Sequence, residues 1–223
     1  MKKLIFATAM LFIGAGLFAQ TAKKLSEGTL IYSVEWNLPQ QMQAMASSFP
    51  TELKVQFKGD SSSLKTESQM YNSTNITNIS KEYERLLLDI PMMGKKFSVI
   101  FTPADQDKMA DKLPDLALKA GTETKTVAGY NATKYDVMEK KSNQASTAWF
   151  TKDIDVSTQN PLNRFYDKSF GFPVEFTSYM NGLSVKATLK EVKSEAVPVG
   201  SFSAGKGYEE ITLDQLMQMQ GGR

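Results

Sequence analysis

The chain has 223 residues, 26 Lys and Arg against 24 Asp and Glu, and neither cysteine nor histidine. Without those two residue types a serine-histidine triad, a cysteine nucleophile, disulfides and the commonest zinc sites are excluded, and the fold must hold by packing alone. The near balance of charge gives no extended positive field, so nucleic acid is not an expected partner.

Lys2 and Lys3 precede an uncharged, mostly apolar run from Leu4 to Phe18, with the small residue Ala19 before Gln20. That is the pattern of a secretory signal peptide. The run falls short of the roughly 20 residues of a membrane span, so removal is expected and no stable span should remain. Cleavage is expected after Ala19, with Ala22 as the alternative because Leu17 is a poor residue at minus three. Loss of Lys2 and Lys3 takes the net charge from +2 to zero. The expected location is periplasmic or secreted, without the usual bacterial lipid anchor, since there is no cysteine to carry it. Residues 1–19 are thus the signal peptide, 20–212 a single domain, and 213–223 a frayed helix or a disordered tail.

Leu30, Tyr32, Val34, Trp36 and Leu38 alternate with more polar residues, which predicts a half-buried strand ended by Pro39. Met42, Met45, Ala46 and Phe49 then fall at i, i+3, i+4 and i+7, predicting a short helix between Pro39 and Pro50. Leu53, Val55 and Phe57 give another strand, closed by a turn at Gly59. The polar run 72–80 alternates weakly and reads as a strand. Its tripeptides at Asn72, Asn75 and Asn78, and that at Asn131, match the N-glycosylation pattern, which matters only in a eukaryotic secretory route.

Two strands, 86–90 and 97–102, flank a turn with Met92 and Met93 at its tip. From Ala104 to Ala120 the spacing predicts two short helical pieces broken at Pro114. Asp105, Asp107 and Asp111 there are the nearest approach to a cation cluster. They lack the glycine and terminal glutamate of an EF-hand loop and read as helix N-terminal charge. A hairpin around Gly129 and a strand through Trp149 follow, then a short helix capped by Asn160 and begun by Pro161, bearing Leu162, Phe165 and Tyr166.

Residues 171–192 are two alternating runs joined by Asn181-Gly182, the strongest short-range hairpin signal. A two-residue turn sets Met180 against Leu183, Ser178 against Val185, Phe176 against Ala187 and Val174 against Leu189, with Glu175 and Lys186 on the opposite, wetted face. Gly205 and Gly207 lack the spacing of a phosphate-binding loop and mark a turn. The fold class is therefore mostly β (α+β), an antiparallel sheet with short helices packed on one side.

The inner face is expected to carry Trp36, Phe57, Trp149 and Phe176, closed by helices bearing Met42, Met45, Phe49, Leu162 and Phe165. These nine residues enclose either a filled core or a lipid-sized cavity, and they are the candidate ligand-binding set. Methionine's flexible thioether suits surfaces that accommodate several ligands, and the chain has 12. No catalytic pair, metal-ligating set or cofactor motif stands out, so a non-catalytic role without cofactor is expected.

Several segments occur in an order that resembles a family of uncharacterised exported proteins of Bacteroidota, related in fold to LolA-like lipoprotein carriers. They are GTLIYSVEW (28–36), PTELKVQFKGD (50–60), TVAGYNATKYDV (126–137), AWFTKDI (148–154), GFPVEF (171–176) and GYEEI (207–211). The LFAQ that ends the leading segment is also typical of exported proteins of that phylum. The resemblance implies a curved antiparallel sheet forming an incomplete barrel, with short helices as a lid over a hydrophobic hollow. It carries over a ligand class, a lipid or other apolar molecule, and no site residues. A periplasmic carrier or sensor of such a ligand is the first expectation. An envelope protein-interaction module with a filled core is the alternative.

Overall fold

The computed structural model describes residues 23–110, 113–156, 162–164, 166–180 and 183–221. The signal-peptide pattern, Asp111, Asn160, Pro161, Phe165 and the Asn181-Gly182 turn lie outside the described residues. The strands are β1 (Lys23–Leu25), β2 (Glu27–Asn37), β3 (Glu52–Lys58), β4 (Ser61–Glu67), β5 (Asn72–Asn78), β6 (Tyr83–Ile90) and β7 (Lys95–Ile100). After α1 (Pro103–Ala110) come β8 (Leu116–Val127), β9 (Tyr130–Glu139), β10 (Gln144–Thr151), β11 (Ile154–Val156), β12 (Phe172–Met180), β13 (Leu183–Lys193), β14 (Glu209–Glu210) and α2 (Leu213–Gly221).

Twelve strands form one curved sheet, not closed into a barrel, in the order β14-β7-β6-β5-β4-β3-β2-β13-β12-β10-β9-β8. Every pairing in it is antiparallel except that of β14 with β7. β1 and β11 make a separate parallel pair. The β12–β13 hairpin has the register that a two-residue turn dictates: Met180 opposes Leu183, Ser178 opposes Val185 and Phe176 opposes Ala187.

Because side chains alternate between faces, the ladders carry one face unbroken across the sheet. One row runs Val192, Leu30, Val55, Leu64, Asn75, Leu86, Val99. It is apolar at both ends and polar at Asn75. The β8–β13 and β2–β3 end of this inner face belongs to the main core, with Leu30, Val55, Phe57, Phe150, Val174 and Leu189 at most 2% exposed. Leu162, Tyr166 and Phe170, from the segment before β12, pack onto that core. Edge-to-face rings knit it together: Tyr135 on Phe150 at 5.1 Å, Phe150 on Tyr166 at 5.0 Å and Tyr32 on Phe176 at 6.0 Å. A second, smaller core lies at the other end, where Leu213 and Leu216 of α2 cover Val99, with Leu86, Leu88 and Met109 around them.

On the opposite face of β4–β7 a central patch is closed to water, with Ser63, Ile76, Leu87 and Ser98 5% exposed or less. Residues 194–208 leave β13 beside β2 and return at β14 beside β7, a path across these strands. Val197 N–H ties the start of that path to Glu27 Oε1 at 2.8 Å.

Three sequence expectations are corrected. The segment 40–48 is a 3-10 helix with no buried residue, so its apolar spacing makes no stripe against the sheet. The second helical piece before Ala120 is instead the start of β8, paired along β9 from Leu116 opposite Glu139. Trp149 stands on the outer side, opposite Glu175, because Ala148 is the residue that pairs with Phe176.

Replacing Phe176 with Asp removes about 2 kcal/mol of burial and places a charge among aromatic rings. We expect that variant to show no cooperative thermal transition by circular dichroism, while Lys190→Glu, at an exposed position, should melt like the parent protein. Equal melting of the two would contradict the register.

Candidate functional site

The site begins with the composition of β4 and β5. On the inner face they present Ser62, Thr66, Ser73, Asn75 and Thr77, with Leu64 as the one large apolar residue. These short polar side chains satisfy one another. Ser62 and Thr77 hydroxyls lie 2.7 Å apart, as do those of Thr66 and Ser73. Such residues pair across the ladder but cannot fill the roughly 10 Å layer between a sheet and whatever packs on it. A cleft of about 400 Å³ results between the two cores.

Its floor is Asn75, Thr77 and Glu84, and its apolar wall is Phe101, Met109 and Leu113. Arg164, from the segment preceding β12, closes the far side. Its Nη1 lies 3.4 Å from both Glu84 carboxylate oxygens. Asn75 Nδ2 donates to Glu84 Oε1 at 2.9 Å, and Asn75 Oδ1, shut off from solvent, accepts no hydrogen bond.

The wall is held by a capping box. Thr102 Oγ1 accepts from Asp105 N–H at 3.2 Å, while Asp105 Oδ2 accepts from Thr102 N–H at 3.0 Å and from its hydroxyl at 2.7 Å. These bonds fix the first turn of α1 and so the position of Met109. The Thr102 bonds also hold the Asp105 carboxyl below its ordinary pKa. The same device starts α2, where Thr212 Oγ1 accepts from Gln215 N–H at 3.2 Å and Gln215 Oε1 accepts from Thr212 N–H at 2.8 Å.

Of the nine residues expected to line a cavity, the eight that are described fall into two groups, with Phe57, Phe176, Leu162 and Trp149 at the main core and Trp36, Met42, Met45 and Phe49 apart from it. Phe57 and Phe176 are filled core, and Leu162 packs against it. Trp36 stacks on Phe49 at 4.9 Å and donates Nε1–H to the Pro50 carbonyl at 2.7 Å, at the end of the sheet where β2 leads into the 3-10 helix. Met42 is half-buried and Met45 is exposed. On the outer face Lys125 sits over the Trp149 ring at 4.3 Å and bridges Glu175 at 2.8 Å. Burial works to raise the Glu175 carboxyl, but Lys125 and Lys186 outweigh it and leave the pKa lowered. The hollow imagined under those nine side chains is occupied by aromatic rings. Sequence reasoning missed Asn75, Glu84 and Met109 as partners in one cleft. The legible signal was NSTNITN itself, whose alternation puts Asn75 and Thr77 on the face opposite Ile76.

No protein-family model matches the chain, and no curated protein does. Among solved structures, PNGF-II is similar with a TM-score of 0.49 and 15% identity over 86% of this chain. The chain spans 32% of the PNGF-II chain. LprF from Mycobacterium bovis and the Mycobacterium tuberculosis lipoprotein LppX each match 78% of this chain with a TM-score of 0.33, at 12% and 10% identity. They are covered over 88% and 90% of their own lengths. With TM-scores under 0.5, these likenesses carry no argument about function.

A carboxyl whose folded pKa is lowered contributes stability above its unfolded pKa, about 4, and loses it as pH falls through the folded value. Asp105 is such a group. Thermal melts from pH 6 downward should therefore show a loss of stability that is smaller in Asp105→Asn, whose side chain does not titrate. Parallel profiles for the two proteins would remove Asp105 from the cap.

Proposed function

We propose that this is an exported, non-catalytic binding protein, a periplasmic carrier or sensor of a lipid fragment or other small molecule with an apolar body. The observation that carries this reading is the cleft of about 400 Å³ between the two cores, with Phe101, Met109 and Leu113 on one wall over a polar floor. The volume falls within the 300–1,000 Å³ usual for small-molecule sites. At about 30 Å³ for a water-sized group, it has room for about a dozen non-hydrogen atoms, a medium-length chain and not a whole diacyl lipid. The secretory pattern of residues 1–19 and the resemblance to exported proteins of Bacteroidota with a LolA-like carrier fold fit the same role.

Native mass spectrometry of gently purified protein tests it. We expect adducts in the mass range of medium-chain amphiphiles, displaced by added decanol. Met109→Trp, which fills the cleft without adding charge, should weaken decanol binding about tenfold or more. Protein that carries no adduct and binds no medium-chain probe would refute the role.

A second reading, an envelope protein-interaction module, is favoured by where the exposed methionines sit. Besides Met217 and Met219 on α2, five are exposed: Met45, Met70, Met92, Met93 and Met138, at 38–85%. The strand directions place all five at one end of the sheet, in the β2–β3, β4–β5 and β6–β7 connections and near the end of β9. Changing Met92 and Met93 together to Asp should leave the melting temperature unchanged and abolish cross-linking to one defined envelope protein. Unchanged cross-linking would dismiss the surface as an interface.

A further inference from the structure

Resting on the cleft as the binding site, the hydrogen-bond inventory of its lining goes further, to the chemistry of the ligand's head group. Three amide side chains line the cleft: Asn75, Asn78 and Gln106. Each donates one N–H of its amide to a protein acceptor. Asn75 Nδ2 donates to Glu84 Oε1 at 2.9 Å, Asn78 Nδ2 to Ser61 Oγ at 2.8 Å, and Gln106 Nε2 to the Glu82 carbonyl at 3.4 Å. Chemistry fixes these orientations. A carboxylate and a carbonyl can only accept, and Asn78 Oδ1 itself accepts from Lys81 N–H at 3.0 Å.

Asn75 Oδ1 accepts nothing, and a buried acceptor without a donor is unfavourable by about 1–3 kcal/mol. Among the described residues the charged groups of the lining are Glu82, Glu84 and Arg164, two carboxylates against one guanidinium. That guanidinium already lies against Glu84.

We infer that the cleft binds amphiphiles whose head group donates hydrogen bonds, an ammonium or a hydroxyl, and discriminates against carboxylate and phosphate heads. A donor head meets the Glu84 and Glu82 carboxylates. An anionic head meets two carboxylates, and the one guanidinium of the lining already lies against Glu84. The apolar tail lies along Phe101, Met109 and Leu113.

Isothermal titration of the exported protein with decylamine, decanol and decanoate, one chain length with three heads, tests this. Decylamine and decanol should bind, and decanoate should bind about tenfold more weakly or not at all. Glu84→Gln should erase most of decylamine's advantage over decanoate. Glu82→Gln, at an exposed residue, should shift the same ratio in the same direction and serves if the Glu84 variant fails to fold. Decanoate binding as tightly as decylamine would overturn the head-group inference and leave the cleft reading standing. Binding of none of the three would overturn both.

Discussion

The aromatic cluster under β2, β9, β10, β12 and β13 governs how the rest of the molecule is arranged. Tyr135, Phe150, Tyr166, Phe170, Phe176 and Tyr32 form a continuous chain of ring contacts with centroids 5.0 to 6.3 Å apart. Rings in such edge-on arrangements gain about 0.5–1.5 kcal/mol per pair beyond their burial. Three are tyrosines, and burial acts on the hydroxyls of two. Tyr32 donates to the Pro173 carbonyl at 2.9 Å, and burial drives its pKa far up. Tyr166 is pushed up to about 12 by burial. Both stay neutral at any physiological pH and act as structural rings with one polar end. A chain lacking disulfides holds its curved sheet together around this cluster.

Filling one end of the concave face moves the open space to the other. β4 and β5 carry hydroxyls and amides inward, α2 covers only the last strands, and α1 stops short of the main core. The cleft is the gap that these polar strands leave between two apolar bodies. Its polarity follows from the same residues. Thr77 of the floor spends its hydroxyl on Ser62, and the carboxylates that line the cleft are Glu84 and Glu82.

Much of the sheet was legible in the sequence. The register of β12 on β13 followed from two residues of turn, and the alternation of β2 and β3 placed Leu30, Tyr32, Val55 and Phe57 inward. Where legibility failed, the physical reason is local. Trp149 and Phe150 are adjacent, bulky and apolar, so period two cannot say which faces in. That is decided by the pairing of Ala148 with Phe176, a contact across 28 positions of chain. Residues 40–48 have helical spacing, but the segment is a tight connection at the sheet's end with nothing to pack against, so spacing did not become burial. Leu113 to Ala120 resembled a broken helix because leucine and alanine favour helices, and β9 overrode that preference by offering a partner strand. The capping boxes at Thr102 and Thr212 were readable as Thr-x-x-Asp and Thr-x-x-Gln, and they mark both helix starts.

The central row of the inner face brings fold and function to one residue. From Val192 to Val99 it is apolar at six positions and interrupted at Asn75. A leucine there would join the two cores, bury more apolar surface and relieve an acceptor that accepts nothing. Asn75 instead holds Glu84 through one atom and leaves the other uncommitted. Glu84 in turn holds Arg164 on the segment that caps the main core. The interruption therefore keeps the two cores apart, orients the carboxylate between them and links the floor of the cleft to its far wall, three effects that a stability-optimised apolar side chain would abolish together.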